Sequence, residues 1–194
     1  SLGLQAAQKH LLDWLGRKAT PEDFEKAVCF LKKAGIQRLN GDMLYAVPGQ
    51  SIEDVLETTQ MLLHLGMEHI SAYALLLEED APLFGKKPPV EEGLDRAMFH
   101  AIQHRLEQAG VQRYEISNFA LPGKECQHNL IYWRDQSYLG LGAGAHSYFQ
   151  NKRYANTHQL TSYLICPIEK QQVQTISPAE QLKEKIMLKT RLTE

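Results

Sequence analysis

The stretch His128–Phe149, HNLIYWRDQSYLGLGAGAHSYF, combines histidine and aromatic side chains with a run of glycines. It opens with a His-Asn pair and a Tyr-Trp pair, and then has glycine at alternate positions from Gly140 to Gly144. Because glycine costs conformational entropy and supplies no side chain, this backbone packs poorly inside a helix or strand. The glycines therefore indicate a close approach, either to another backbone or to a flat ligand. The upstream side chains would suit a flat, partly apolar ligand that contains a metal.

Two histidines, His128 and His146, lie in this region, which we expect to be irregular, and function concentrates in such segments. Histidine is a common ligand for metals, including the iron of a haem. A single loop histidine is nevertheless more often merely hydrogen-bonded than ligating. Tyr132 and Trp133 are likewise more often core residues than ligand platforms, and a loop thiol such as Cys126 usually only packs.

Composition excludes several classes of protein. With 21 basic and 23 acidic residues the net charge is -2, which gives no electrostatic basis for binding nucleic acid. No apolar run approaches the ~18 residues of a membrane span, and residues 1–8 lack the features of a signal peptide. Three widely spaced cysteines favour a reducing, cytoplasmic location. The chain begins without Met and ends inside a helical pattern, so we expect an internal fragment of a longer protein.

Helical and extended segments alternate over the first part of the chain. Capping residues such as Thr20 and Ser51, followed by apolar residues at helical spacing, predict helices that end at glycine. The predicted helices cover 8–15, 20–35, 51–66 and 94–110, and extended apolar runs cover 36–47, 69–77 and 111–119. Three similar junctions, KAGIQRL, HLGMEHI and QAGVQRY, indicate one βα unit used repeatedly. This order predicts a parallel sheet in a complete or partial (β/α) barrel, with an open doubly wound sheet as the alternative.

The regular pattern stops after Phe119. A loop is expected over 78–92, a modest helix over 156–164, a short edge strand over 171–176 and a capped helix from Ser177. We therefore divide the chain into residues 1–120, an α/β barrel segment, and residues 121–194, a small irregular or helical subdomain that contains the Gly-rich stretch.

Polar residues at the carboxyl ends of parallel strands are candidates for ligand binding. Asp42 lies inside an apolar strand, where a carboxylate must be paired or bound to a ligand. An ion pair with Arg17 and a ligand contact are about equally plausible, and Gln5 has the same standing. Glu115 and Ser117 alternate along the third predicted strand, so they should share one of its faces.

Six motifs occur together: SLGLQ, LGR, NGDMLYAVPGQ, YEISNFA, HNLIYW and YLGLGAGAHS. As a set they resemble the HemW family of radical S-adenosylmethionine (SAM) proteins, which is related to oxygen-independent coproporphyrinogen III oxidase. The resemblance covers Ser1 to about Tyr148. It implies a six-unit partial (β/α) barrel of the radical SAM type, with this chain supplying its C-terminal half. It also implies a [4Fe-4S] cluster held by three cysteines, with SAM on the fourth iron site.

The resemblance assigns roles to the barrel residues. Gln5, Arg17 and Asp42 match the positions that contact SAM in the related oxidase, and Leu76 falls near a further apolar contact. The family's CxxxCxxC motif is absent from these 194 residues. In relatives it lies upstream of the SLGLQ position, so cluster ligands are expected outside this chain. The family's glycine in YGLPGQ is Ala46 here, which we expect to be a minor change.

HNLIYW matches the HNxxYW signature that separates haem chaperones from true oxidases in the family. The resemblance therefore implies haem binding, with His128 as axial iron ligand and Tyr132 and Trp133 as apolar walls. The expected function is a haem chaperone that passes haem to a haemoprotein acceptor, which could bring peripheral membrane association. The alternatives are oxidative decarboxylation of coproporphyrinogen III to protoporphyrinogen IX, and an unrelated α/β barrel domain with a structural Gly-rich loop.

Overall fold

The computed structural model describes residues 1–77, 79, 83 and 91–193, so the expected loop over 78–92 lies mostly outside the described residues. The chain divides into two compact units, Ser1–Glu125 and Cys126–Glu194. The sequence predicts a boundary after residue 120.

The first unit alternates helices and strands largely as expected. Its elements are β1 (Leu2–Gln5), α1 (Lys9–Trp14), α2 (Pro21–Lys33), β2 (Asn40–Tyr45), α3 (Ile52–His64), β3 (His69–Ala74), α4 (Glu92–Gln108), β4 (Gln112–Arg113) and β5 (Asn118–Ala120). Thr20 and Ser51 each cap a helix, and each is bonded reciprocally to an aspartate three residues on. These capping boxes satisfy backbone N–H groups that the first helical turn would otherwise leave unpaired. The predicted helix starts are confirmed.

The sheet of the first unit has the order β1-β2-β3-β5-β4. β1, β2 and β3 are parallel, as the βα repeat predicts. The single third strand predicted over 111–119 is wrong, because β4 and β5 form an antiparallel pair and β5 runs antiparallel to β3. The buried Glu115 carboxylate accepts a hydrogen bond of 2.9 Å from the Ser117 N–H and so stabilises the turn. Glu115 and Ser117 therefore occupy a turn, not a shared strand face.

The two faces of this sheet differ in polarity. A Cβ atom on Gly41 would lie 2.6 Å from Leu62 Cδ2 of α3, so position 41 faces the helices. Met43 and Ile70, which face the same way, are fully buried in the main apolar core. Because side chains alternate along a strand, Asn40 and Asp42 point to the opposite face.

The second unit contains more regular structure than expected. Its elements are α5 (Gln127–Trp133), β6 (His146–Phe149), β7 (Lys152–Asn156), α6 (Leu160–Ile165), β8 (Lys170–Thr175) and α7 (Pro178–Lys189). The three strands form an antiparallel sheet in the order β6-β7-β8. The HNLIYW segment is thus helical instead of irregular, and the helix expected over 156–164 begins only at Leu160, because β7 extends to Asn156.

A two-residue turn makes the β6–β7 hairpin. Phe149 pairs with Lys152, and the two residues between them, Gln150 and Asn151, have φ of 51° and 58°. Positive φ at both central positions is the type I′ geometry that matches the twist of paired strands.

Across the described ranges 1–77 and 91–193, no helix is both long enough and apolar enough to cross a membrane.

Candidate functional site

The polar face of the first unit is organised around Asp42. Its carboxylate accepts hydrogen bonds from the Ser1 hydroxyl at 2.6 Å and from the Asn40 side-chain amide at 2.7 Å. The same amide donates to Ser71 Oγ at 2.9 Å. Asp42 therefore has neutral donors, and in the described part of the chain it forms no ion pair with Arg17.

His69 extends this network into the protein. Its Nδ1 lies 2.7 Å from Asn40 Oδ1, and its Nε2 lies 2.8 Å from the Tyr114 hydroxyl. Because the Asn40 oxygen can only accept, His69 must donate from Nδ1, which leaves Nε2 to accept the Tyr114 proton. Burial lowers the pKa of His69 from 6.5 to about 4, and the nearby Asp42 carboxylate opposes this shift only in part. His69 is therefore a neutral imidazole in a fixed tautomer.

Gln5 lies on the same face as Asp42. It ends β1 with φ of 69°, and its Nε2 is 2.5 Å from where a Cβ atom on Gly3 would be. Gly3 is paired with Asp42 in the parallel register, so both positions point to the same face. The missing side chain at Gly3 thus allows the Gln5 amide to lie on the face that carries the Asp42 carboxylate.

Arg17 and Leu76 are placed differently from this pair. Arg17 is exposed and follows Gly16, whose φ of 69° ends α1. Leu76 lies beyond the end of β3 and is 85% exposed. Among the four residues predicted to contact SAM, the structure brings Gln5 and Asp42 together on one face and leaves Arg17 and Leu76 on the surface.

A buried acceptor lies beside the Asp42 network. Asn118 on β5 pairs with Ser71 on β3, and directly opposed residues in an antiparallel pair share a face. Asn118 is 4% exposed, and its Oδ1 has no hydrogen-bond partner in the described residues. A buried acceptor that lacks a donor lowers the stability of the folded protein by about 1–3 kcal/mol.

In the second unit, α5 positions the histidine of HNLIYW. His128 and Tyr132 are four residues apart and therefore lie on the same helix face. The Tyr132 hydroxyl is 2.9 Å from His128 Nε2, and the two rings meet edge to face with centroids 4.8 Å apart. Tyr138 continues the stack, with its ring centroid 4.6 Å from that of Tyr132. Burial raises the pKa of Tyr138, so its phenol is neutral at ordinary pH.

These rings form one wall of a cavity of about 460 Å³. Its lining combines two imidazoles, two phenols, two leucines and small residues: His128, Tyr132, Tyr138, Leu139, Gly140, Leu141, Ala145 and His146. Leu141 is 90% exposed, so the cavity has apolar side chains that lack a covering surface. Pockets for small molecules typically measure about 300–1,000 Å³. The cavity is thus in the size range of small-molecule sites, and its lining combines imidazole nitrogens with apolar side chains.

The Gly-rich loop is held by hydrogen bonds and tight backbone contacts. The Asn156 side-chain amide donates to the carbonyls of Gly140 and Gly142 at 3.2 and 2.9 Å. A Cβ atom on Gly140 would collide with the His146 carbonyl oxygen, and one on Gly144 would lie 2.9 Å from His158 Nδ1. The close approach expected from the glycines is therefore, at Gly140, an approach to another backbone.

Trp133, which the family resemblance predicts as a wall of the haem site, does not line this cavity. Its ring lies under the Arg191 guanidinium, 5.1 Å from ring centroid to Cζ. Its Nε1 is buried without a hydrogen-bond partner in the described residues. On a helix the residue five positions after His128 points to a different side from His128 and Tyr132, which explains the separation.

Two lining residues were not among the predicted site residues. The sequence indicates His146 only as a possible ligand, and it gives no prediction for Tyr138. Tyr138 is next to Tyr148 through backbone hydrogen bonds of 2.8 and 3.0 Å, a contact that depends on the hairpin we did not predict. Its sequence signal was only the aromatic residue just before the glycines.

Comparison with known proteins agrees with this architecture. No family model matches the chain. It is 34% identical over 197 residues to heme chaperone HemW of Lactococcus lactis, covering 97% of this chain and 52% of the relative. It is 37% identical over 210 residues to that of Synechocystis, covering 100% and 50%. It is also 30% identical over 208 residues to that of Bacillus subtilis, covering 100% and 53%.

The structure resembles that of coproporphyrinogen III oxidase (HemN) from Escherichia coli, a radical SAM enzyme, with a TM-score of 0.80 at 16% identity. This match covers 95% of the chain and 47% of the solved one, and it shows that the two share a fold, which is a partial (β/α) barrel. The chain belongs to the HemW family, as its motifs predicted. The chain spans about half the length of the curated relatives it matches.

Proposed function

We propose that this chain is part of a haem chaperone and that its second unit binds the haem to be transferred. The observation that carries the proposal is the cavity where His128 and His146 meet Tyr132, Tyr138 and exposed leucine side chains. Imidazole nitrogens are common axial ligands of haem iron. Aromatic and aliphatic side chains would cover the macrocycle, and the proteins named heme chaperone HemW are similar to this chain over nearly its whole length.

The His128–Tyr132 pair suits a carrier that must also release its haem. In the structure His128 Nε2 is bonded to the Tyr132 hydroxyl, so this nitrogen must leave a neutral partner before it ligates iron. A neutral hydrogen bond contributes only about 0.5–1.5 kcal/mol to stability. Breaking or remaking it therefore changes the free energy little, and the exchange can proceed in either direction. When the iron leaves for an acceptor haemoprotein, Tyr132 can satisfy the imidazole again.

The first unit would bind SAM in the complete protein. The Asp42 carboxylate has hydroxyl and amide donors but no cationic partner in the part of the chain described here, so it can still accept from a ligand hydroxyl or ammonium group. The Gln5 amide on the same face adds a donor and an acceptor. The [4Fe-4S] cluster would depend on cysteines outside these 194 residues, because the chain has no CxxxCxxC motif. We expect haem transfer to occur in the cytoplasm, where sparse free cysteines are typical.

Titration of haem into the 194-residue chain tests the proposal. We expect one haem per chain with a Soret band, and at least about tenfold weaker binding in His128→Ala, equivalent to about 1.4 kcal/mol. His100→Ala is the matched control, since His100 is an exposed histidine on α4 in the first unit. Equal affinity in wild type and His128→Ala would contradict the assignment, and so would an equal loss in the control.

The oxidase activity of the structural relative is tested separately with the full-length protein. Coproporphyrinogen, SAM and a reductant are supplied, and protoporphyrinogen formation is measured. The fold match alone suggests this reaction. Product formation would show that haem carriage is not the sole role.

A further inference from the structure

His146 differs from His128 in the state of its ring. It is the first residue of β6, it is exposed, and its side chain lines the same cavity as His128. Whereas His128 Nε2 is occupied by the Tyr132 hydroxyl, no hydrogen bond to the His146 ring is found among the described residues. A histidine that lines a ligand cavity with both ring nitrogens unengaged is available to a metal.

The backbone at His146 is nevertheless firmly positioned. Residue 146 pairs with Ala155 in the β6–β7 ladder, and the Asn156 N–H donates to the Ala145 carbonyl at 2.9 Å. The His146 carbonyl also packs against Gly140 so closely that no side chain fits there. A fixed backbone with a free imidazole is the arrangement that an axial ligand requires, because ligand atoms must be placed without large reorganisation on binding.

We propose that His146 is a second ligand of the haem iron, so that bound haem is six-coordinate, with one imidazole from α5 and one from β6. This inference rests on the proposed function of the cavity. Each histidine supplies the lone pair of one ring nitrogen to the iron, and no electron transfer is involved. With both axial positions filled, the carried haem presents no open site to dioxygen, and His128 can exchange between iron and Tyr132 while His146 retains the haem.

His158 offers a matched comparison. Its ring is perpendicular to that of His146, with centroids 6.5 Å apart, and it lies close to Gly144. It is an exposed histidine of the same unit but does not line the cavity. A change at His158 therefore tests whether any neighbouring imidazole has the effect that we assign to His146.

The test is the spin state of ferric haem bound to the 194-residue chain, measured by electron paramagnetic resonance and visible absorption. We expect a low-spin, six-coordinate spectrum for wild type and for His158→Ala. His146→Ala should give a high-spin spectrum and weaken binding by a factor of about ten or more. Added imidazole should then restore the low-spin spectrum. His146→Met should bind haem with the spectrum of mixed histidine and thioether ligation, which remains informative if the alanine variant folds poorly.

Three results would overturn the inference: five-coordinate haem in the wild type, an unchanged low-spin spectrum in His146→Ala or His146→Met, or a high-spin His146→Ala that imidazole does not restore. In each of these cases haem still binds, so the proposed function survives. Failure of the wild type to bind haem at all would instead refute the proposed function, and the inference with it.

Discussion

The two units present their candidate ligand-binding groups in contrasting states. On the polar face of the first unit, the side chains of Ser1, Asn40, Asp42, His69 and Tyr114 are already connected by hydrogen bonds. In the second unit, the cavity contains an imidazole with free nitrogens and leucines that face solvent. A preorganised polar network suits a small polar ligand held in one orientation, whereas a partly open apolar cavity suits a large flat cargo that must enter and leave.

The largest effect is expected from Gly140→Ala in the second unit. The new Cβ atom would meet the His146 backbone carbonyl, which cannot move without distorting the β6–β7 hairpin. Overpacking of this kind lowers the free energy of unfolding by about 1–3 kcal/mol or more. We expect a decrease near the upper value, and we also expect the variant to lose haem binding. Urea denaturation gives the free energy of unfolding. Gly93→Ala, at a helical position with open space around it, is the control. A Gly140→Ala variant as stable as wild type would show that the loop is not packed as described.

The polar network of the first unit should make stability depend on pH through His69. Its pKa is about 4 in the folded protein and 6.5 when unperturbed, so on acidification the unfolded chain takes up the proton first. The stabilisation is therefore complete above pH 6.5 and is lost as the pH falls towards about 4, by at most about 3 kcal/mol.

The check is urea denaturation across this range with His69→Gln, which keeps polar side-chain atoms but does not titrate. The difference between wild type and variant should shrink at acidic pH. A difference that stays constant with pH would mean that His69 is not held neutral in the folded chain.

SAM binding should depend on the carboxylate of Asp42 more than on its shape. In the full-length protein, Asp42→Asn removes the charge and turns one acceptor into a donor, which should weaken SAM binding by about 1.5–3 kcal/mol, roughly tenfold or more. Arg17→Ala should weaken binding similarly if the complete barrel brings SAM to this exposed side chain. Isothermal titration with SAM measures both, and Lys18→Ala provides an exposed basic control beside Arg17. Unchanged affinity in Asp42→Asn and Arg17→Ala would remove both assignments.

The smallest effect, and the only stabilising one, is expected at Ala46. The family pattern predicts that alanine at this glycine position is a minor change, but Ala46 has φ of 58°, a conformation that costs a residue with a side chain about 1 kcal/mol. Ala46→Gly should therefore raise the free energy of unfolding by up to about 1 kcal/mol. Ala6→Gly is the comparison. Ala6 is buried and has no positive φ, so this substitution should lower the free energy of unfolding. Destabilisation by both substitutions would contradict the strain at Ala46.

Local signals made much of the fold predictable, and tertiary contacts account for the misses. Thr20 and Ser51 predict helix starts because their capping partners are only three residues away in the sequence. The antiparallel return at β5 depends on its pairing with β3, more than 40 residues earlier in the chain, which no local pattern reports. The β6–β7 hairpin has Gln150 and Asn151 where Asn-Gly would have been recognisable, so the sequence carried little sign of it.

The candidate site was predictable to a similar extent. Family motifs predict roles for His128, Tyr132 and Asp42, and these roles stay predictions. The helix over HNLIYW is not predictable from the residues alone, and it turns Trp133 away from the cavity that His128 and Tyr132 line. His146 could be noted but not chosen, because its place beside His128 depends on the unpredicted hairpin.

The central claim is that haem binds in the second unit, and paramagnetic NMR of the 194-residue chain tests it most directly. Amide signals are compared between complexes with ferric haem and with diamagnetic zinc protoporphyrin. We predict that the iron broadens the amides of His128, Tyr132, Gly140 and His146 most strongly. Broadening centred on Asn40, Asp42 and Ser71, or none beyond that of the zinc control, would contradict the account.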